Sequence, residues 1–288
     1  MTDQAKTFIL GVGAQKCGTS WLHHQLHKHP LVDMGFCKEY RALRDRDWRE
    51  RLVQHLHQGA LGQTQRLEQF DQLSDADKHQ QMLVNERAYY RYFQRLMTIN
   101  QQAKVTGDIS PHYSTLSPQT FKRAKRHLHK CGFALKVIFL MRDPVERVWS
   151  QVRMLRKNGK MVSINNCNSE EEALALHYRH PRFSSKGDYH LTLQSLKEAF
   201  DSTDIHIGLY ESLFEPASLT EISTFLDLDL QSANQNERIN ASPKLTPISE
   251  ALQREIASHY RDVYKACHHH FGQEILELWP SSRFILTS

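Results

Sequence analysis

The chain has 288 residues, 40% hydrophobic and 24% charged, with a formal net charge of +5 and 18 histidines. That is enough to bury a core and suits an anionic ligand, while the absence of any run of five Lys/Arg argues against nucleic acid. Five scattered cysteines without a C-x-x-C pair argue against a disulfide scaffold, and no apolar run is long enough for a signal segment or a bilayer span, so a soluble, cytoplasmic protein is expected.

The first expected strand is Thr7–Val12. It runs into Gly13-Ala-Gln-Lys-Cys-Gly18, and Thr19-Ser-Trp-Leu22 then opens a helix. A turn of this kind directs backbone N–H groups and a helix N-terminus at one point, which favours a phosphate or sulfate. The phosphate-loop pattern G-x-x-x-x-G-K-[ST] fits from Gly13 to Gly18, but Thr19 stands where lysine is required. The lysine comes earlier, as Lys16. Lys16, Cys17, Gly18, Thr19, Ser20 and Trp21 are therefore the first candidate anion site.

The second expected strand is Leu31–Met34, followed by a loop carrying Lys38 and Glu39. A long helical insertion comes next. Its clearest piece places Tyr89, Tyr92, Phe93, Leu96 and Met97 on one face, the pattern of a core-packing helix. Gly59–His79 is polar and reads as a surface excursion or lid. The third strand, Lys104–Thr106, precedes Asp108 and His112.

The fourth strand, Leu135–Met141, ends at Arg142. Asp143-Pro144-Val145-Glu146 then supplies an N-cap, a proline at the first helical position and an acid in the first turn. Arg142 at the carboxyl end of a strand suits bidentate capture of a phosphate, with Ser150 two turns into the helix as a further donor. A structural Arg142–Asp143 pair is the plainer reading. Asn158–Asn168 and Ser232–Pro243 read as polar loops, Asp204–Leu209 as the fifth strand, and Thr246-Pro247 as the opening of a C-terminal helix. The fold class expected is α/β: a P-loop-like parallel sheet flanked by helices, with helical insertions, in one domain over residues 1–288. His23 with His27, and His268-His269-His270, are expected to be structural or surface groups, and no metal site is expected.

Two stretches together resemble a known family. Lys16-x-Gly-Thr-Ser-x-Leu22 resembles the 5′-phosphosulfate loop, and Arg142-Asp-Pro-Val-Glu-Arg-Val-Trp-Ser150 the 3′-phosphate motif, of sulfotransferases that use 3′-phosphoadenosine 5′-phosphosulfate (PAPS). Weaker echoes lie at Gly107–Tyr113, Ile205–Glu211 and Thr224–Leu228. The flavour is that of the bacterial and Golgi carbohydrate-type branch. The resemblance implies sulfuryl transfer from PAPS to a hydroxyl or amine, with release of 3′-phosphoadenosine 5′-phosphate (PAP). It implies Lys16 at the bridging oxygen, Thr19 and Ser20 at the 5′-phosphate, Tyr210 beside adenine and Lys244 in a loop over the donor phosphates. Glu39 is the implied general base, aided by Lys38, with Asp108 and His112 as rivals. Ile109 departs from the branch, where several members have lysine.

Two other readings stand beside it: an Mg²⁺-dependent P-loop nucleotide kinase or triphosphatase, and a non-catalytic anion-binding module. The acceptor is not specified by sequence. Tyr40, Arg41, Arg44, Arg179, Arg182 and Phe183, in three variable loops (35–46, 59–79 and 158–185), are expected to face a sugar, a lipid headgroup or a small metabolite.

Overall fold

A computed structural model describes residues 5–58, 67–230, 244 and 247–286. Five strands form one sheet in the order β2-β3-β1-β4-β5, and every pairing is parallel. The strands are β1 (Thr7–Gly13), β2 (Val32–Asp33), β3 (Val105–Ile109), β4 (Ala134–Met141) and β5 (Ile205–Leu209). All five expected strands are present, although β2 is cut to two residues and β3 runs on to Ile109. The central strand β1 is an unbroken apolar run, Phe8-Ile-Leu-Gly-Val12, because helices cover both of its faces. Its carboxyl end delivers Gly13 into the anion loop. The carboxyl end of neighbouring β4 delivers Arg142, so the two expected anion-binding segments emerge side by side.

Helix α1 (Thr19–Lys28) follows the first loop. The insertion contains α2 (Arg46–Gln58), α3 (Asp75–Val84) and α4 (Glu86–Ile99). Asn85 caps α4 by accepting from the Arg87 N–H. Tyr89, Phe93 and Met97 of α4 are buried, as their spacing predicts. Phe93 and Tyr89 meet Phe8 of β1 edge-on, with ring centroids 5.0 and 6.3 Å away. Glu86 anchors the same helix, pairing with Arg49 at 2.7 Å and Arg123 at 3.1 Å. Helix α5 (Pro118–Lys130) leads into β4, and α6 (Pro144–Lys157) leaves it. Asp143 caps α6 as expected, its Oδ1 accepting from the Val145 N–H at 2.9 Å. Its carboxylate also accepts from Tyr264 Oη at 2.7 Å and from the Ser281 N–H at 2.9 Å. Asp143 is therefore tied to the C-terminal helices, and the carboxylate beside Arg142 is Glu146.

Two local expectations need correction, and a third is filled in. The helix expected at Thr246-Pro247 begins at Glu250, because Ser249 supplies the cap by accepting from the Leu252 N–H. The polar stretch Asn158–Asn168 contains a helical turn, Val162–Asn165, whose Ile164 is fully buried. The excursion expected over Gly59–His79 is helical where described, with a 3₁₀ turn at Leu67–Gln72 and then α3; His79 Nε2 lies 2.7 Å from the Tyr40 carbonyl oxygen. Residues 59–66 and the stretch Ser232–Pro243, expected as a loop, lie outside the described residues, as does Thr246. Among the described residues, no helix is long and apolar enough to cross a membrane.

Candidate active site

The anion loop is held from both sides. The Ala14 N–H donates to the Leu140 carbonyl of β4 at 2.6 Å, and the Trp21 N–H donates to the Gly18 carbonyl at 2.9 Å. Gly18 adopts a left-handed φ of 88°, and a Cβ there would come within 2.4 Å of Leu213 Cδ2 and 3.2 Å of the Tyr210 ring. Only glycine lets the loop pass so close beneath the segment after β5. Thr19 is buried and Ser20 half-buried, and both open α1 where the first N–H groups have no intrahelical partner. The side chain of Trp21 belongs to the core, packed edge-on against Phe214 at 5.1 Å. Cys17 is also buried, with Sγ 3.5 Å from Tyr189 Oη, and burial pushes its thiol up to about 11. It fills space rather than reacting.

Lys16 is half-buried in the same loop, and burial followed by the charges of Arg142 and Arg153 holds its ammonium below the usual lysine range. Lys16, Arg142 and Arg153 thus form a cationic cluster at the loop, partly balanced by Glu146. The Arg142 guanidinium carbon lies over the Tyr210 ring, 4.4 Å from its centroid, and Nη2 pairs with Glu146 at 3.1 Å. Its Nε is buried without a hydrogen-bond partner among the described residues. Lys244 reaches the other oxygen of Glu146 at 2.7 Å and sits over the Trp149 ring at 4.7 Å. Ser150 is buried on the same helix. The structure thus brings Lys16, Gly18, Arg142, Tyr210 and Lys244 into one neighbourhood. It adds Arg153, which sequence reading missed although it stands three residues after Ser150, on the same helical face.

The loop after β2 closes the other side. Lys38 Nζ donates to Ser20 Oγ at 2.6 Å and lies 3.6 Å from Glu39 Oε1. Arg41 Nε donates to Glu39 Oε2 at 3.0 Å. The loop is fastened to the carboxyl end of β3 and the residue that follows it: the Tyr40 N–H donates to Asp108 Oδ1 at 3.3 Å and the Arg41 N–H to Ser110 Oγ at 3.0 Å. Asp108 is buried and saturated: besides the Tyr40 N–H, it accepts from Ser110 Oγ at 2.7 Å, Tyr89 Oη at 3.1 Å and Tyr113 Oη. Burial pushes its carboxyl up to about 6. The four donors make it a structural knot. His112 is half-buried, with burial, then Lys186, Arg44 and Arg41, pushing its imidazole down to about 4.

Of the residues expected to face an acceptor, Tyr40 and Phe183 are fully buried and belong to the core. Tyr40 Oη donates to the Met34 carbonyl at 3.1 Å. Arg179 is drawn to Glu255 at 2.9 Å. Arg41 and Arg44 stay beside Glu39 and His112. Lys186, missed by sequence reading, joins them with Nζ 3.3 Å from Gln15 Oε1 in the anion loop. No local pattern signals it, because 171 residues separate the two partners. His23 and His27 stack with centroids 5.9 Å apart, and no group of three His, Cys, Asp or Glu among the described residues is arranged to hold a metal ion.

The model of the Sulfotransferase family matches residues 8–231, a span that includes the loops after β1 and β4. The chain belongs to the sulfotransferase family. It is an enzyme that transfers a sulfuryl group. Among solved structures, a sulfotransferase from Alicyclobacillus acidocaldarius is similar in fold, with 16% identity, 92% of this chain and 95% of that chain covered, and a TM-score of 0.51. The sulfotransferase domain of the Synechococcus PCC 7002 olefin synthase aligns at 19% identity over 89% of this chain and 90% of that domain, with a TM-score of 0.48. No curated protein sequence matches significantly.

Proposed function

We propose that this sulfotransferase takes its sulfuryl group from PAPS and passes it to a hydroxyl or amine of an acceptor, releasing PAP, in the reducing cytoplasm, where its free cysteines remain thiols. The observation that carries the donor assignment is Arg142 Nε, buried without a hydrogen-bond partner among the described residues, beside the glycine-bearing loop. A buried guanidinium N–H without an acceptor is costly, and a phosphate oxygen satisfies it. Lys16, Gly18, Thr19 and Ser20 are assigned to the 5′ side of the donor; Arg142, Ser150 and Lys244 to the 3′-phosphate; and Tyr210 to the adenosine.

PAPS supplies an activated sulfuryl group. Lys16 balances the negative charge that grows on the departing phosphate oxygen, the type of electrostatic assistance that dominates many transfers. A sulfuryl group carries less charge than a terminal phosphoryl, so one ammonium suffices where kinases use a divalent cation. Glu39 takes the acceptor's proton. Lys38 and Arg41 hold its carboxylate in place, and Lys38 links it to Ser20. His112 is the second proton acceptor to consider, since an imidazole pushed down to about 4 is neutral at pH 7.

Calorimetry tests the donor reading. PAP is expected to bind tightly without magnesium, and ATP with magnesium weakly or not at all. Tight ATP·Mg²⁺ binding with no PAP binding would make the chain a nucleotide kinase or triphosphatase. PAP binding without sulfuryl transfer to any acceptor would make it a binding module.

A further inference from the structure

We infer that the acceptor carries an anionic group, a carboxylate, sulfate or phosphate, close to the hydroxyl or amine that receives the sulfuryl; this rests on the donor reading above. The groups around Glu39 and His112 are unbalanced in charge. Arg41 is spent on Glu39. Arg44 and Lys186 are not: among the described residues, Arg44 Nε donates to the Arg41 carbonyl at 3.1 Å, and Lys186 Nζ to the side-chain oxygen of Gln15 at 3.3 Å. Both partners are neutral oxygens. Burial lowers the Lys186 ammonium to about 8, with Arg147, Arg182 and Arg41 adding to the shift and Glu39 opposing it. Burial also lowers the Arg44 guanidinium, with Arg41 and Arg49 acting the same way and Asp45, whose carboxylate accepts from Ser117 and Thr120, acting against them.

These cations are held in place. Arg44 lies over the Trp48 ring at 4.4 Å, and its carbonyl accepts from Arg123 Nη2 at 2.7 Å. Arg41 is fixed in a left-handed backbone conformation, φ 52°, by its N–H bond to Ser110. Lys186 is followed by Gly187, where a Cβ would come within 2.8 Å of the Tyr260 ring, so its turn is packed down and not free to swing into water. Holding like charges together on rigid backbone costs stability unless a ligand supplies the opposite charge. The donor's phosphates belong to the Lys16–Arg142 side. The second cationic cluster, on the Glu39 side, therefore receives the acceptor, and its donors suit an oxyanion.

The test uses ³⁵S-labelled PAPS and matched pairs of acceptors that differ only in charge: 4-hydroxybenzoate with its methyl ester, 3-hydroxyoctanoate with its methyl ester, and glucuronic acid with glucose. The acid member is expected to be sulfated with at least tenfold higher kcat/KM in the pairs that react. Lys186→Gln and Arg44→Gln are expected to lower that preference at least fivefold, mainly through KM, while PAP affinity stays within twofold. Equal or better transfer to the neutral members, or transfer to no acid at all by protein that binds PAP, overturns the inference. So does a loss of PAP affinity in the two variants that leaves the preference intact, which would assign the cluster to the donor. Failure of the wild-type chain to bind PAP overturns the donor reading instead.

Discussion

Lys38 Nζ and Ser20 Oγ are 2.6 Å apart, which ties the loop after β2 to the first turn of α1. The same ammonium lies 3.6 Å from Glu39. One side chain thus joins the anion loop to the carboxylate proposed as base, so that filling the anion loop and positioning the base are linked events.

Replacing Glu39 with Gln removes the proton acceptor but keeps the shape of the loop. Turnover is expected to fall about 10²–10⁴-fold, with PAP affinity within threefold of wild type. His112→Gln is expected to cost less than tenfold. A reversal of these two effects in a ³⁵S-transfer assay would give the role of base to His112, and the acid limb of the pH–rate profile would then fall near pH 4, following the lowered imidazole.

Arg142→Gln removes a charged fork but leaves Tyr210 in place. Hydrogen bonds to a charged group contribute about 1.5–3 kcal/mol, so PAP is expected to bind roughly 10–150-fold more weakly. Adenosine 5′-monophosphate, which lacks the 3′-phosphate, should bind the variant and the wild type alike. Equal weakening for both nucleotides would place Arg142 elsewhere on the donor.

Gly18→Ala puts a methyl group where Leu213 already stands and keeps a left-handed φ. The backbone cost alone is about 1–2 kcal/mol, and the clash must also displace Leu213 or the loop. The midpoint of urea unfolding should drop, and PAP affinity should fall more than tenfold. Wild-type PAP affinity in this variant would show that the loop relaxes without harm and does not grip the donor.

Asp108→Asn keeps the shape of a buried group but sets an N–H₂ among donors. A loss of about 1–3 kcal/mol is expected at pH 7. The pH dependence has a definite sign. The Asp108 carboxyl is raised from 3.8 to about 6 in the folded chain, so between these values the folded state holds the proton more firmly than the unfolded state. Its contribution to stability therefore falls as pH rises from about 4 to 6, and levels off above that. The asparagine variant lacks this slope, so its deficit should be largest near pH 4 and shrink toward pH 7 in denaturant titrations. A deficit that grows with pH would mean that the carboxyl is lowered, not raised.

Much of this was legible in the residues. The strands were readable because each is a short apolar run ending in a turn signal. The loop after β1 and the Arg142 segment were readable because their chemistry is local: glycine, lysine and hydroxyls in six residues, and arginine followed by a capped proline helix. What sequence hid was whatever depends on distant partners. Tyr40 and Phe183 look like binding aromatics until the core that swallows them is seen. Asp108 looks like a free strand-end acid until Tyr89, Tyr113, Ser110 and the Tyr40 N–H close on it. Lys186 carries no mark at all, because its place is set by the packing of a turn against Tyr260 and by a reach to Gln15. The misplaced helix start at Thr246 has a simpler cause: Ser249 offers a better cap three residues on.

The knot at Asp108 bears on how this enzyme can change over generations. The loop of residues 35–45 hangs from that carboxylate, from Ser110 and from the Tyr113 hydroxyl, which takes the Leu43 N–H at 3.2 Å. These attachments use backbone N–H groups of the loop, not its side chains. A residue such as Arg44, whose side chain takes no part in these attachments and does not touch Glu39, is thus free to be exchanged while the chain path stays where it is. The proposed acceptor side of the molecule can drift toward new substrates without the carboxylate proposed as base having to be placed afresh.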